Sequence, residues 1–345
     1  MSVILNYKAF HLLLFFNLTF VAPWFTLKPQ VLLELKFMFK TLLLSTTVSV
    51  GAFIAGSSLA ADQVELKHVA ARVEVIAEPR SDIAVTYDHG HNKLPDIKVS
   101  NEGDRVVIDG QIRDHNNGFN LNFNMNIDSH NDKNTGRIQV ADYGSIDFKD
   151  LPVITIHTPM AVKLSNSGFA LGHITRSSEL KFSDTGDGDW VIDPVAGRIQ
   201  VSTAGAGDVH LATGGATEVS SAGSGQITVG DIQSLKSSQA GSGDVHVGHI
   251  FGPSHIAIAG SGDFTAMAVK DSVSVSIAGS GDVKIRDGMI ARLDVSIAGS
   301  GDVRYDGTAA DVSVSVMGSG DIRVKQVTGH VSKSIMGSGD VIIGH

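Results

Sequence analysis

The sequence contains no cysteine. That excludes a disulfide framework, a thiol nucleophile, a thiolate zinc or iron–sulfur site and a lipidated cysteine. Proline is scarce, with 8 in 345 residues, and aromatic residues make up 6%. Basic residues are in deficit: 27 Lys+Arg face 36 Asp+Glu, a formal charge of −9. A nucleic-acid binder normally shows a basic patch or stripe, so no nucleic-acid partner is expected. Glycine is what the chain has in excess, 38 residues beside 42% hydrophobic residues. The hydrophobic fraction is too high for a disordered chain. Glycine without proline points to many tight turns, not to collagen.

Residues 1–60 differ from the rest. They hold 8 of the 15 Phe, one of the two Trp and only two glycines. Residues 38–60 read as a secretory signal peptide. Met38-Phe39-Lys40 gives a positive start, residues 41–56 an apolar run, and Ser58-Leu59-Ala60 a small-residue cleavage site. Residues 1–37 read as upstream sequence from an over-long gene start. The rival is a membrane anchor built on the apolar stretch 9–27, whose length is borderline for spanning. Removing residues 1–60 takes away four Lys and one Glu, so the remaining chain carries 23 − 35 = −12. Export with no stable membrane anchor after signal cleavage is the expectation.

The turns recur on a period. Gly-Ser-Gly-Asp starts at Gly241, Gly260, Gly279, Gly299, Gly318 and Gly337, with variants at Gly186, Gly205 and Gly223 and a weaker relative at Asn166. Successive spacings are 20, 19, 18, 18, 19, 19, 20, 19 and 19. Each unit has one layout. Ser272-Val273-Ser274-Val275-Ser276-Ile277 alternates polar and apolar, as a strand with one buried face does. Ala278-Gly279-Ser280-Gly281-Asp282 is a turn, where glycine permits φ > 0. Val283-Lys284-Ile285-Arg286 alternates again, and Asp287-Gly288 turns back. No unit carries a helical stripe. A unit this short cannot bury a core alone and must stack on its neighbours. One coil per unit predicts an all-β, right-handed, single-stranded parallel β-helix (β-solenoid) of about ten coils, a rod of roughly 48 Å at ~4.8 Å per coil. A flat meander or sandwich is the alternative architecture. Residues 161–345 form this repeat solenoid. Residues 61–160 form a less regular N-terminal β region continuous with it, with a polar excursion over 111–150. Within the excursion, residues 119–127 alternate Asn with apolar residues. They read as a half-exposed strand or as a polar ligand-binding strand.

The string [Ile/Val]-[Ala/Met]-Gly-Ser-Gly-Asp-[Val/Ile] at this spacing resembles the bacterial family called putative auto-transporter adhesin, head GIN domain. The resemblance covers roughly residues 68–345. It includes Leu94-Pro95-Asp96-Ile97-Lys98-Val99 and the run-in Val153-Ile154-Thr155-Ile156-His157-Thr158-Pro159. It implies a right-handed β-helix without catalytic residues, and cell adhesion or surface binding in place of a defined reaction. Surface glycan or protein is the partner class it implies.

The turn glycines are Gly241, Gly243, Gly260, Gly262, Gly279, Gly281, Gly299, Gly301, Gly318, Gly320, Gly337 and Gly339. Their stacking would line up Asp208, Asp244, Asp263, Asp282, Asp302, Asp321 and Asp340 about 4.8 Å apart. Like charges that close repel, so something must compensate. Three routes are open. The first is hydrogen bonds from turn N–H groups. The second is ion pairs two residues on, with Lys284, Arg304 and Arg323, or with His210 and His246. The third is a bound cation held by Asp244, Asp263, Asp282, Asp302, Asp321 and Asp340. Calcium takes six to eight oxygens, and one motif per coil supplies few, so calcium is the weakest route and no cofactor is expected. His89 and His91, with the recurring Gly-His at His173, His249, His330 and His345, read as polar turn residues or as a transition-metal chelate. Repetition itself puts acids and serines in columns, whereas a nucleophile needs one activated serine with a base. No enzymatic activity is therefore expected.

Three functional readings follow. The first is an exported, non-enzymatic adhesion or binding module, periplasmic, secreted or on a bacterial cell surface. The second is a structural or self-associating scaffold, a homo-oligomer joined through the C-terminal coil, where Met317 and Met336 replace the alanine of earlier turns. The third is a degenerate polysaccharide-processing β-helix enzyme.

Overall fold

Strand after strand pairs in parallel with its equivalent one unit further along the chain. The computed structural model describes residues 61–112, 126–127, 136–140 and 142–344. In the first sheet Leu180 faces Ile199, then Thr217, Leu235, Ser254, Val273, Leu293, Val312 and Val331 in succession. In the second sheet Trp190 faces Val209, then Ile227, Val245, Phe264, Val283, Val303, Ile322 and Val341. The Gly-Ser-Gly-Asp turn joins the two sheets within each coil. The result is an all-β solenoid of about 10 turns. The meander and sandwich are excluded by the parallel register. Among the described residues there is no α-helix, only a 3-10 turn at Phe148–Asp150.

The alternating sequence explains the core. Every second residue points inward, where Val, Ile and Leu from successive coils stack into one continuous cluster. Each such side chain contributes about 1.5–3 kcal/mol when fully buried. Trp190 and Phe182 fill the interior near the N-terminal coils, their rings 4.8 Å apart. One interior row breaks the pattern. Asn166, Asp184, Thr203, Ser221 and Gln239 stand in register, followed by Ile258, Ile277, Ile297 and Val316. The Asp184 carboxylate accepts hydrogen bonds from Asn166 Nδ2 and from the Gly186 N–H, both at 2.9 Å. Burial nonetheless dominates and pushes its pKa up to about 6.

The N-terminal coils are assembled out of sequence order. Gln63–Glu78 lies between Ala161–Ile174 on one side and Arg105–Asp109 with Val153–Pro159 on the other. The chain thus enters at the second layer, and the first layer is built later from two separated pieces. That layer is then overlaid. Ala84–Asp88 runs antiparallel on Val153–Pro159, and Lys98–Glu102 runs antiparallel on Arg105–Asp109. These two strands, five residues each, take over the edge of the layer, and short edge strands limit pairing with other chains. The excursion contributes a separate sheet of Asn126–Ile127, Gly136–Val140 and Gly144–Asp147. Ile138, Val140, Ile146 and Phe148 pack with Leu94, Ile112, Leu151 and Phe169 in a second apolar cluster. Of the Asn-alternating stretch, only Asn126 and Ile127 fall among the described residues. Residues 1–60, on which the signal-peptide and upstream-sequence or anchor expectations fall, lie outside them.

At the other end the last coil is Val331–Gly337 followed by Val341–Ile343. Val331 and Ile335 are 37% and 42% exposed, whereas their equivalents one coil earlier, Val312 and Val316, are 2% and 1% exposed. No described residue pairs with the outer edge of this coil.

Candidate functional site: stacked turns and the outer face of the first sheet

The turn glycines owe their identity mainly to close approach between coils. A Cβ at Gly241, Gly260, Gly279, Gly299, Gly318 or Gly337 would collide with the carbonyl oxygen of the matching glycine one coil back. A Cβ at Gly243, Gly262, Gly281, Gly301, Gly320 or Gly339 would do the same. Left-handed φ, the reason expected from turn chemistry, applies only at Gly299, Gly318 and Gly337 among these twelve. Stacking of backbone on backbone is the stronger constraint.

The aspartates form a column held by the coil that follows. Asp244 Oδ1 accepts the Asp263 N–H at 2.8 Å, Asp263 that of Asp282 at 2.9 Å, and Asp282 that of Asp302 at 2.8 Å. Asp302 accepts from Asp321 at 2.7 Å and Asp321 from Asp340 at 2.8 Å. Asp208 accepts the N–H of Gln226, which stands where the next aspartate would be, at 2.7 Å. Of the three routes, N–H donation is therefore the one present, but across coils and not within each turn. The ion-pair route is not taken. Arg304 turns away to Asp306, its Nε 2.8 Å from both carboxylate oxygens. Neither Lys284 nor Arg323 is in ion-pair contact with Asp282 or Asp321, and His210 and His246 make none with Asp208 or Asp244. Among the described residues no three His, Asp or Glu side chains gather in a metal-holding group.

Several histidines lie beside acids. Asp231 Oδ1 accepts the His249 N–H at 2.8 Å and lies 2.8 Å from His249 Nδ1. These contacts, the backbone one first, hold the Asp231 carboxyl below its usual range. Asp311 accepts the His330 N–H at 3.0 Å and is lowered likewise. His173 sits between Glu74 and Asp193, at 2.9 and 3.4 Å. Burial opposes its charged form, but the two acids raise its pKa on balance. His89 Nε2 lies 3.3 Å from Asp96.

The outer face of the first sheet carries a row that the turn motif does not reveal. Ser183, Ser202, Ser220, Ser238, Ala257, Ser276, Ser296, Ser315 and Ser334 stand in register. Its signal in the sequence is the Ser-Val-Ser-Val alternation, whose polar half faces out. Beside it runs an alanine row, Ala204, Ala222, Ala240, Ala259 and Ala278, and the two small-residue rows floor a groove of about 530 Å³. At the other margin of the same sheet a groove of about 600 Å³ is lined by Arg198, Glu218, Lys236, His255, Arg292 and Asp294. Lys236 pairs with Glu218 at 2.7 Å and Arg292 with Asp294 at 2.6 Å. The Lys236 amine holds the Glu218 carboxyl below its usual range.

None of the curated proteins matches the sequence. Among solved structures, a putative adhesin from Parabacteroides distasonis is similar at 16% identity, covering 82% of this chain and 93% of that one, with a TM-score of 0.37. A putative lipid binding protein from the same organism is similar at 21% identity, over 84% and 95%, with a TM-score of 0.38. A putative adhesin from Bacteroides fragilis is similar at 15% identity, over 87% and 98%, with a TM-score of 0.28. The putative auto-transporter adhesin, head GIN domain, matches residues 62–249 and 252–344. That match takes in the covered first layers as well as every stacked turn, and the chain belongs to this family.

Proposed function

We propose that the protein is an exported, non-enzymatic binding module that acts at a bacterial surface or in the periplasm. It engages a surface glycan or protein along the outer face of its first sheet. The observation that carries this reading is the in-register serine row, floored further by alanine and bordered by alternating charges. A surface that repeats every coil offers the same contacts again and again, which suits an extended or repetitive ligand better than one small substrate. Hydroxyls at a spacing of ~4.8 Å supply donors and acceptors, and the small side chains let a chain approach the backbone. Export is supported by the apolar run and small-residue site before Ala61, and by a chain with no cysteine to oxidise.

The test is binding of the purified protein to a glycan array and to whole bacterial cells. Ser220→Lys and Ser238→Lys, which fill the groove, are expected to abolish saturable binding. Binding that survives both changes moves the site off this face; no saturable binding by the unaltered protein ends the reading.

A further inference from the structure

The last coil differs from all others at one inward position. Leu164, Phe182, Val201, Val219, Ser237, Ile256, Val275, Val295 and Val314 occupy this row, each at most 3% exposed. The next residue in the row is Lys333, in register with Val314. Its side chain crosses the mouth of the coil and its Nζ donates to the Val341 carbonyl at 3.1 Å. That carbonyl has a particular status. The residues equivalent to Val341 are Val283, Val303 and Ile322, and each donates its N–H to the carbonyl of an aspartate in the following coil. In a parallel ladder, a residue that donates to one neighbouring strand also accepts from it. Val341 thus points its backbone groups at a coil that does not exist among the described residues.

We infer that Lys333 is the end-cap of the solenoid. It supplies the hydrogen bond that a further coil would have made. It also places a charge where another chain would have to bury it. Inward-pointing charge on an edge strand is a known way to block edge-to-edge pairing. Burial of an unpaired ammonium is strongly unfavourable. The neighbouring residues Val331, Ile335 and Ile342 are left exposed, yet the end they surround rejects a second copy. The opposite end finishes in two short antiparallel strands, Ala84–Asp88 and Lys98–Glu102, each paired on its inner side among the described residues. Pairing of two C-terminal edges would join like end to like end. A contact of that kind is isologous and closes at two chains.

The experiment measures mass in solution by light scattering and sedimentation over a hundredfold concentration range, using the processed protein. The unaltered protein and Lys333→Arg are expected to stay monomeric throughout. Lys333→Val, which restores the residue of the preceding coil, is expected to dimerise at least tenfold more tightly and to stop at two chains. Lys333→Ser, which copies the buried Ser237 of the same row, removes the charge with little added apolar surface and keeps the test available if the valine variant misfolds. It is expected to lie between the two. Far-UV circular dichroism checks that each variant is folded. A folded Lys333→Val and a folded Lys333→Ser that both remain monomeric overturn the inference. So does an unaltered protein that already dimerises through residues 331–343, as read by cross-linking. Open-ended fibres of Lys333→Val overturn the closure at two chains. All of these outcomes are independent of glycan or cell binding along the first sheet.

Discussion

At the N-terminal end, two antiparallel strands lie over the layer made by Arg105–Asp109 and Val153–Pro159. At the C-terminal end, Val331–Gly337 keeps a bare edge, and a single lysine reaches across the coil to the Val341 carbonyl. One end finishes in two short added strands and the other in one side chain. The difference sets where stability resides. The covered end has interior residues at or near zero exposure and a second apolar cluster beside it, so loss of packing there is felt in full. The last coil is packed from one side only and frays at little cost to the rest, as stacked repeats do when each unit contacts only its neighbours.

The largest contrast is expected from truncating the interior. Trp190 is fully buried against Phe182, and Trp190→Ala is expected to lower stability by about 3–5 kcal/mol. Ile335→Ala in the last coil is expected to cost under about 1 kcal/mol, because that side chain is already half in water. Chemical denaturation of both variants measures the gap, and equal losses would show that the two ends are packed alike.

A second contrast runs in the opposite direction. Asp184 titrates at about 6 in the folded protein, against an ordinary value of 3.8. Its raised pKa means that the folded state holds the proton more tightly than the unfolded chain does. Stability therefore falls as pH rises from about 4 through 6, and above that the buried charge costs about 3 kcal/mol. Asp184→Asn is expected to stabilise by up to that amount at pH 7 and to change nothing near pH 4. Urea midpoints at the two pH values decide it; a gain for Asp184→Asn that persists at pH 4 would rule out ionisation as the cause.

Smaller effects probe the turns. Gly260→Ala forces backbone apart in the middle of the stack and is expected to cost about 1–3 kcal/mol. Gly339→Ala meets the same carbonyl geometry, but its coil has no described neighbour beyond and tilts away, so a thermal scan should show the smaller shift. Smallest of all is the aspartate column. Asp263→Ala removes the acceptor for the Asp282 N–H, a loss of about 1 kcal/mol. Asp340→Ala leaves no described N–H without its acceptor and should be silent. If the two are equal, the column does not act through these bonds.

How much of the molecule is legible in the sequence depends on what repeats. The coil, its two strands and the parallel register follow from alternation broken by the same turn, because strand period and glycine placement are local. The column of Asp244 to Asp340 is also legible, but its partner is not. The donor to each carboxylate lies about 19 residues away in the next coil, and neither turn chemistry nor i, i+2 spacing points there. The layer order at the covered end is hidden for a related reason. Gln63–Glu78 looks like any half-buried strand, and nothing in its pattern tells that residues 105–109 and 153–159 will later slide in front of it. Lys333 is in plain view as one polar residue among alternating serines; only the register with Val314 shows that it stands in the apolar row.

The interior row of Asn166, Asp184, Thr203, Ser221 and Gln239 has a consequence for how the chain finds its place. Nearly identical strands are able to mispair by a whole coil without disturbing any turn. Unlike polar groups give each of these coils its own address, since a slip would set Asp184 against the wrong partner and strip it of Asn166. Past Gln239 the row reads Ile258, Ile277, Ile297 and Val316, and the addresses vanish. The first half of the stack is thus numbered along this row, while in the second half the distinguishing residues lie elsewhere in the interior, as with Tyr305, buried between Ile285 and Val324.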